Sequence, residues 1–118
     1  MGASSHEFTQ FVIEQLVSIP GLSTGRFFGG IGVKSEATQF AMIMDGSLFF
    51  TVDDESRKKY EQMGSKCFSY GTKKGRVDVR KYFEVPADLL EDSTQLVVLA
   101  RAAIAVARKA KTSQQPRK

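Results

Sequence analysis

The stretch Arg26-Phe27-Phe28-Gly29-Gly30-Ile31-Gly32 sets three glycines within four residues of an apolar run. Backbone this bare can cradle a phosphate, form a bulge, or let another segment approach closely. Glycine costs about 0.5–1 kcal/mol relative to alanine inside a regular element, so the cluster needs one of these reasons. The phosphate reading lacks its motif. Gly30-x-Gly32 has no third glycine ahead of a helix, and no Gly-Lys-Ser/Thr occurs anywhere in the chain. A bulge or close backbone packing is therefore expected, with Arg26, Phe28, Gly29, Gly30 and Gly32 as a structural motif. A ligand-contacting edge is the alternative.

The other chemically equipped side chains are sparse. His6 is the only histidine and lies near the N-terminus, without the positioned partners that a catalytic dyad or metal site requires. Cys67 follows Lys66 and precedes Phe68; a small buried hydrophobe explains it better than a reactive thiol. Asp53-Asp54-Glu55 stands where a helix begins, and capping accounts for its charge without a metal. No catalytic residue, cofactor site or metal site is assigned. The basic residues are more numerous: Lys66, Lys73, Lys74, Arg76, Arg80 and Lys81 face only Asp78 in their segment, and Arg57-Lys58-Lys59 forms a second group. A solvated hairpin is the plain explanation; a surface for phosphate backbone or an acidic partner is the alternative. Phe68, Tyr70 and Tyr82 lie close enough in sequence to stack bases, although strand spacing also suits core positions.

These groups sit in a chain of 118 residues with 42% hydrophobic and 25% charged residues, the balance of one ordinary globular domain. Such a length buries roughly two-thirds of the surface exposed by the unfolded chain. No apolar run approaches the ~20 residues that span a bilayer, so no membrane contact is expected. The N-terminus lacks the basic and apolar regions of a signal peptide, and one cysteine cannot form an internal disulfide. A cytoplasmic location is expected on these grounds. The net charge of +4 is concentrated at one end. Setting aside Lys109, Lys111, Arg117 and Lys118 leaves the remaining basic residues equal in number to the acidic ones, which weakens any argument from charge to nucleic acid.

Periodicity supplies the elements. Ser5 is read as the cap of a helix carrying Phe8, Phe11, Val12, Leu16 and Ile19, which Pro20-Gly21 stops. Arg26 to Lys34 reads as one strand, Gln39 to Met44 as the next, and Asp45-Gly46 as a hairpin turn into Ser47 to Val52. Asp53 or Asp54 caps a short helix that Gly64 ends. Lys66 to Tyr70 and Arg76 to Val85 form two more strands around Gly71-Thr72-Lys73-Lys74-Gly75, and Lys81 marks a bulge or edge position. Pro86 opens a short helix through Leu90, and Asp92 or Ser93 caps the last helix, Thr94 to about Lys111. Its stripe of Leu96, Leu99, Ala100, Ala103, Val106, Ala107 and Ala110 is expected on the sheet. Val97, Val98 and Ile104 remain for cover by a second copy, a partner protein or the first helix. The expected order is α-β(3)-α-β(2)-α(α): an α+β fold of two layers, an antiparallel sheet with helices on one face. One domain over residues 1–111 and a basic flexible tail over 112–118 follow. Phe28, Phe40, Leu48 and Phe83 are expected in one core between sheet and helices.

In order and spacing, the segments 26–32, Phe40-Ala41, Asp45 to Phe50, Val52-Asp53-Asp54, Phe68-Ser69-Tyr70, Tyr82 to Pro86 and the Leu96-to-Arg108 helix resemble the N-terminal domain of the TfoX/Sxy family of bacterial competence regulators. The resemblance runs from Phe8 to about Ala110. It departs at Phe27, where the family usually has Met, at Glu36-Ala37, where it has a glycine, and near Thr51 and Cys67. The family's regulators carry a C-terminal domain that this chain, ending at Lys118, is expected to lack. The resemblance implies a secretion-chaperone-like fold, no catalytic residues and a role in regulation, including transcription, through protein contacts. The expected interaction surface comprises Lys73, Lys74, Arg76, Arg80, Val97 and Ile104, with an unidentified protein partner and a homodimer through the last helix. Two alternatives stand beside it: a weak, sequence-independent nucleic-acid binder using the basic hairpin and tail, and a small-ligand protein or enzyme with a pocket beside Gly29-Gly30.

Overall fold

Three pairs of consecutive residues with positive φ divide the first half of the chain into hairpins in the computed structural model, which describes residues 2–114. They are Phe28-Gly29 (49° and 81°), Glu36-Ala37 (49° and 72°) and Asp45-Gly46 (51° and 75°). Two residues with positive φ are the signature of the I′ turn, whose twist matches that of the strands it joins. The strands are β1 (Leu22–Phe27), β2 (Gly30–Ser35), β3 (Thr38–Met44) and β4 (Ser47–Thr51). Helix α1 (Gly2–Gln15) precedes them. After them come α2 (Asp54–Gln62), β5 (Cys67–Thr72), β6 (Gly75–Glu84), α3 (Ala87–Leu90) and α4 (Ser93–Gln114). The strands form one antiparallel sheet in the order β1-β2-β3-β4-β6-β5, giving an α+β fold.

The expected single strand over 26–34 is thus two strands, and the glycine cluster is chiefly a turn. Phe28 supplies the first turn residue, so its side chain leaves the sheet and is 87% exposed instead of lying in the core. Close packing accounts for the other two glycines. A Cβ on Gly30 would overlap the Ile43 carbonyl oxygen and Met44 Sδ, and one on Gly32 would overlap the Gln39 side chain.

The sheet has two apolar faces. On one, Val33, Phe40, Ala41, Ile43, Leu48, Phe50, Phe83 and the Val85 that follows β6 meet Val12 of α1, Leu16 just past it, Tyr60 of α2 and Leu96, Ala100, Ala103 and Ile104 of α4. A register shift between β2 and β3 places Phe40 in that core beside Ala41. Lys34 pairs with Gln39 and Val33 with Ala41, so Phe40 is the extra residue of a bulge. Thr51 Oγ1 donates to the Ala103 carbonyl at 2.9 Å in buried surroundings, fixing α4 on β4. The small side chains of Ala100 and Ala103 permit that approach. On the other face, Met42, Met44, Phe49 and Tyr82 cluster with Phe27, Phe68 and Val79, all from strands.

The caps follow the residue types. Asp53 accepts from the Ser56 backbone N–H at 2.8 Å while Ser56 Oγ accepts from the Asp53 N–H, a reciprocal box at the start of α2. Asp92 Oδ1 accepts from Gln95 N–H at 3.1 Å ahead of α4. Helix α1 begins at Gly2, so Ser5 lies within it rather than capping it. Helix α4 continues to Gln114, past the expected end at Lys111. The rest of the expected tail, residues 115–118, lies outside the described residues.

The inward face of α4 keeps Leu96, Leu99, Ala100, Ala103 and Ala107 of the expected stripe and widens beyond it. Ile104 is 7% exposed within the core, Val97 packs against that core, and Ala110 is exposed. Ile104 is therefore covered within the chain and does not present an interaction surface. Substituting Ile104 with Glu should abolish cooperative folding rather than release a soluble monomer, because a buried unpaired charge has no compensation. In denaturant melts, Phe40→Ala should cost roughly 3–5 kcal/mol, and Phe28→Ala should stay within about 0.5 kcal/mol of the parent.

Candidate functional site

The cluster without helical cover forms a trough of about 510 Å³ on the open face, lined by Phe27, Phe28, Met42, Met44, Phe68, Tyr70, Val79, Lys81 and Tyr82. Its walls come from opposite ends of the sheet order: the β1–β2 hairpin on one side and the β5–β6 hairpin on the other. Continuous apolar sequence explains the floor. Phe40-Ala41-Met42-Ile43-Met44 is apolar at every position, so β3 presents one set of side chains to the helices and another to the open face. Aromatic rings meet edge to face along the walls. Phe27 and Phe28 have centroids 4.8 Å apart at 73°, and Phe49 and Phe68 are 5.2 Å apart at 78°. Phe68 and Tyr70 follow at 6.1 Å, stacked.

Lys81 is the one charged residue among the nine that line the trough. Its position comes from an irregularity in β6. Phe68 pairs with Val79 and Cys67 with Phe83, so Arg80, Lys81 and Tyr82 have no register partner in β5. The Lys81 carbonyl is held by Val52 N–H at 2.8 Å, on the β4 side. A bulge at Lys81 was legible from the break in β6 alternation; its place at the rim of an apolar trough was not. Next to it, Tyr82 oxygen accepts from Gln39 Nε2 at 3.2 Å. The absence of a side chain at Gly32 gives Gln39 room to lie across the sheet. Burial pushes the Tyr82 phenol above its usual pKa, with the Gln39 hydrogen bond opposing part of the rise.

The expected basic surface is placed on an arm. Every residue from Tyr70 to Asp78 is exposed along β5, its turn and the start of β6. Lys73 and Lys74 form the turn, closed by Thr72 Oγ1 donating to the Gly75 carbonyl at 2.7 Å. Arg76 Nη2 donates to Ser69 Oγ at 3.0 Å across the hairpin, and Arg80 and Lys66 are exposed. The second basic group sits on α2, where Arg57 pairs with Asp54 at 2.7 Å and Lys58 and Lys59 are exposed. Val97 and Ile104 lie at the helical core, remote in the fold from this arm. Arg26 is exposed on the edge strand β1.

The remaining candidates separate from the trough. Cys67 packs against the helical core and His6 is exposed on α1. Asp53 is engaged as a cap. The Ser56 backbone hydrogen bond, followed by that from its side chain, holds the Asp53 carboxyl below its usual pKa. Among the described residues no group of three or more His, Cys, Asp or Glu side chains converges to hold a metal ion. Nor, among them, is any helix long and apolar enough to cross a membrane.

Compared with known families, the chain matches the model of the TfoX N-terminal domain over residues 14–107. A comparison with curated proteins gave no match.

Burial also pushes the Tyr60 phenol, facing the Phe83 ring in the helical core, well above its usual value. The folded state therefore resists ionisation of Tyr60 and Tyr82, whereas the unfolded chain ionises both near pH 10. Their contribution is fully present below about pH 10 and is lost as pH rises beyond it. Denaturant melts from pH 8 to 11 should show stability falling at the alkaline end, with a shallower fall in Tyr60→Phe. An equal slope in that variant would contradict the assignment.

Proposed function

Because the chain belongs to the TfoX N-terminal domain family, we propose that it is a cytoplasmic regulatory domain without catalytic chemistry, acting on transcription of the competence type through protein contacts. The observation supporting this reading is the arm over residues 70–78, whose full exposure adds nothing to the core and displays Lys73, Lys74 and Arg76 against Asp78 alone. A projecting hairpin with an excess of positive charge suits an acidic partner surface, where it steers encounter and fixes orientation. Self-association is the finer form of the proposal. With Ile104 buried, it would use Val17 and Val98, both exposed beside the groove between α1 and α4.

A second reading shares the same arm. Phe68 and Tyr70 lie behind the basic turn, and stacking platforms beside cations are how single strands are held without sequence preference. Lys109 on α4 is exposed and adds to the positive charge at the chain's end.

In the native host, removing the gene should alter a defined set of transcripts. The unmodified chain should restore them, and a Lys73→Glu/Lys74→Glu variant that melts normally should not. Restoration by that variant would remove the arm from the mechanism. The nucleic-acid reading expects anisotropy binding to oligonucleotides that weakens steeply between about 50 and 200 mM salt, in proportion to the phosphates contacted. A salt-independent response would dismiss it.

A further inference from the structure

We propose that the open-face trough is a binding site for a small, flat aromatic acid, its ring on Met42, Met44 and Phe68 and its carboxylate between Lys81 and the Tyr82 hydroxyl. This inference does not depend on the regulatory reading of the β5–β6 arm.

Size and lining come first. At about 510 Å³ the trough falls within the range of small-ligand sites, roughly 300–1,000 Å³, which are largely apolar with a few placed polar groups. Ring edges and methionine sulfurs line it. Both favour a planar π system, through edge-to-face geometry and sulfur–aromatic contact. The trough is an open slot across a sheet, a shape that covers a flat ring better than it encloses a long alkyl chain.

The polar groups select the sign of the ligand's charge. Lys81 brings a cation and no lining residue brings an anion, so a bound carboxylate would be the lysine's complement within the slot. Tyr82 supplies the second contact. Its oxygen already accepts from Gln39, so its own hydrogen is free to donate. A phenol is uncharged at neutral pH, and burial raises its pKa further. Three otherwise separate irregularities converge on this geometry. Arg80 to Tyr82, which have no register partner in β5, bring the lysine and the tyrosine to the same slot. Gly32 leaves space for the glutamine that orients the hydroxyl. Phe28 stands exposed at the rim in a positive-φ conformation that a non-glycine residue adopts at a cost, its ring edge to face with that of Phe27. A large apolar side chain in that position returns nothing to the core and is suited to close over a ring in the slot.

The test uses the full chain, 2-naphthoate as probe and its neutral amide as control, followed by amide-resonance titration and calorimetry. Naphthoate should shift resonances of β3, β6 and the β1–β2 turn, and bind about tenfold or more tighter than the amide, as one charge-assisted hydrogen bond predicts. Lys81→Met should remove that preference while leaving amide binding unchanged. Tyr82→Phe should weaken the acid several-fold with a normal melt, and Phe28→Ala should weaken both probes. Equal affinity for acid and amide would overturn the proposal, as would a Lys81→Met variant that still prefers the acid. Shifts confined to another surface, or none up to about 5 mM, would overturn it too. Tighter capture of a short oligothymidylate in the same slot, displacing naphthoate, would replace it with a single-strand platform.

Discussion

A hairpin turn of two residues leaves its strands no freedom to slide, and here three such turns occur in succession. Each fixes the register of the next pair, and register decides which face every side chain takes. A slip by one residue in β3 would send Met42 and Met44 toward the helices and Ile43 toward the open face. The close approach between Gly30 and the β3 backbone would be lost as well. The bulge at Phe40 is the single departure that this arrangement uses to place two consecutive residues, Phe40 and Ala41, on the helical side. From that registration follow both the core beneath α4 and the apolar slot opposite it.

The two faces meet different demands. The helical face is closed by side chains from every helix and by the Thr51–Ala103 hydrogen bond. The middle turn, built from Glu36 and Ala37 without the usual glycine, is held from outside. Ser35 Oγ donates to the Pro20 carbonyl at 2.7 Å, Glu36 N–H to the Gly21 carbonyl at 3.1 Å, and Arg108 of α4 to Glu36 at 2.9 Å. A conformation disfavoured for both residues persists because its surroundings over-determine it. The open face has no such closure, and its polar groups are gathered around one lysine.

Local chemistry was legible where residue type and backbone need coincide. Asp45-Gly46 reads as a turn because both residues accept positive φ, and Asp53, Asp92 and Pro86 read as helix beginnings for equally local reasons. Phe28-Gly29 was not legible as a turn because Phe carries no preference for that conformation, and Glu36-Ala37 was legible as the link between two strands but not as a positive-φ pair. The first of these fused two strands into one and sent Phe28 to the wrong environment. The burial of Ile104 beside the expected stripe was beyond periodicity, since an apolar arc this wide offers several stripes and packing against β3, β4 and α1 decides how much of it is covered. The slot had a signal, the unbroken apolar run of β3, which implies two apolar faces. Lys81 was marked as irregular, but the hydrogen bond from Gln39 to its neighbour Tyr82 joins residues 43 positions apart.

The chain order of the sheet also shapes how the molecule assembles. Strands β1 to β4 join neighbour to neighbour through turns of two residues, contacts that form quickly because little loop entropy is lost. The link between the halves is different. Strand β4 pairs with β6, not with β5, so residues 49–51 must find residues 82–84 across α2 and the whole of β5. That closure is the non-local step, whereas α4 docks mainly on β3 and β4. The same strand junction that places Lys81 beside the slot is thus the gate through which the chain passes from a set of hairpins to a protein.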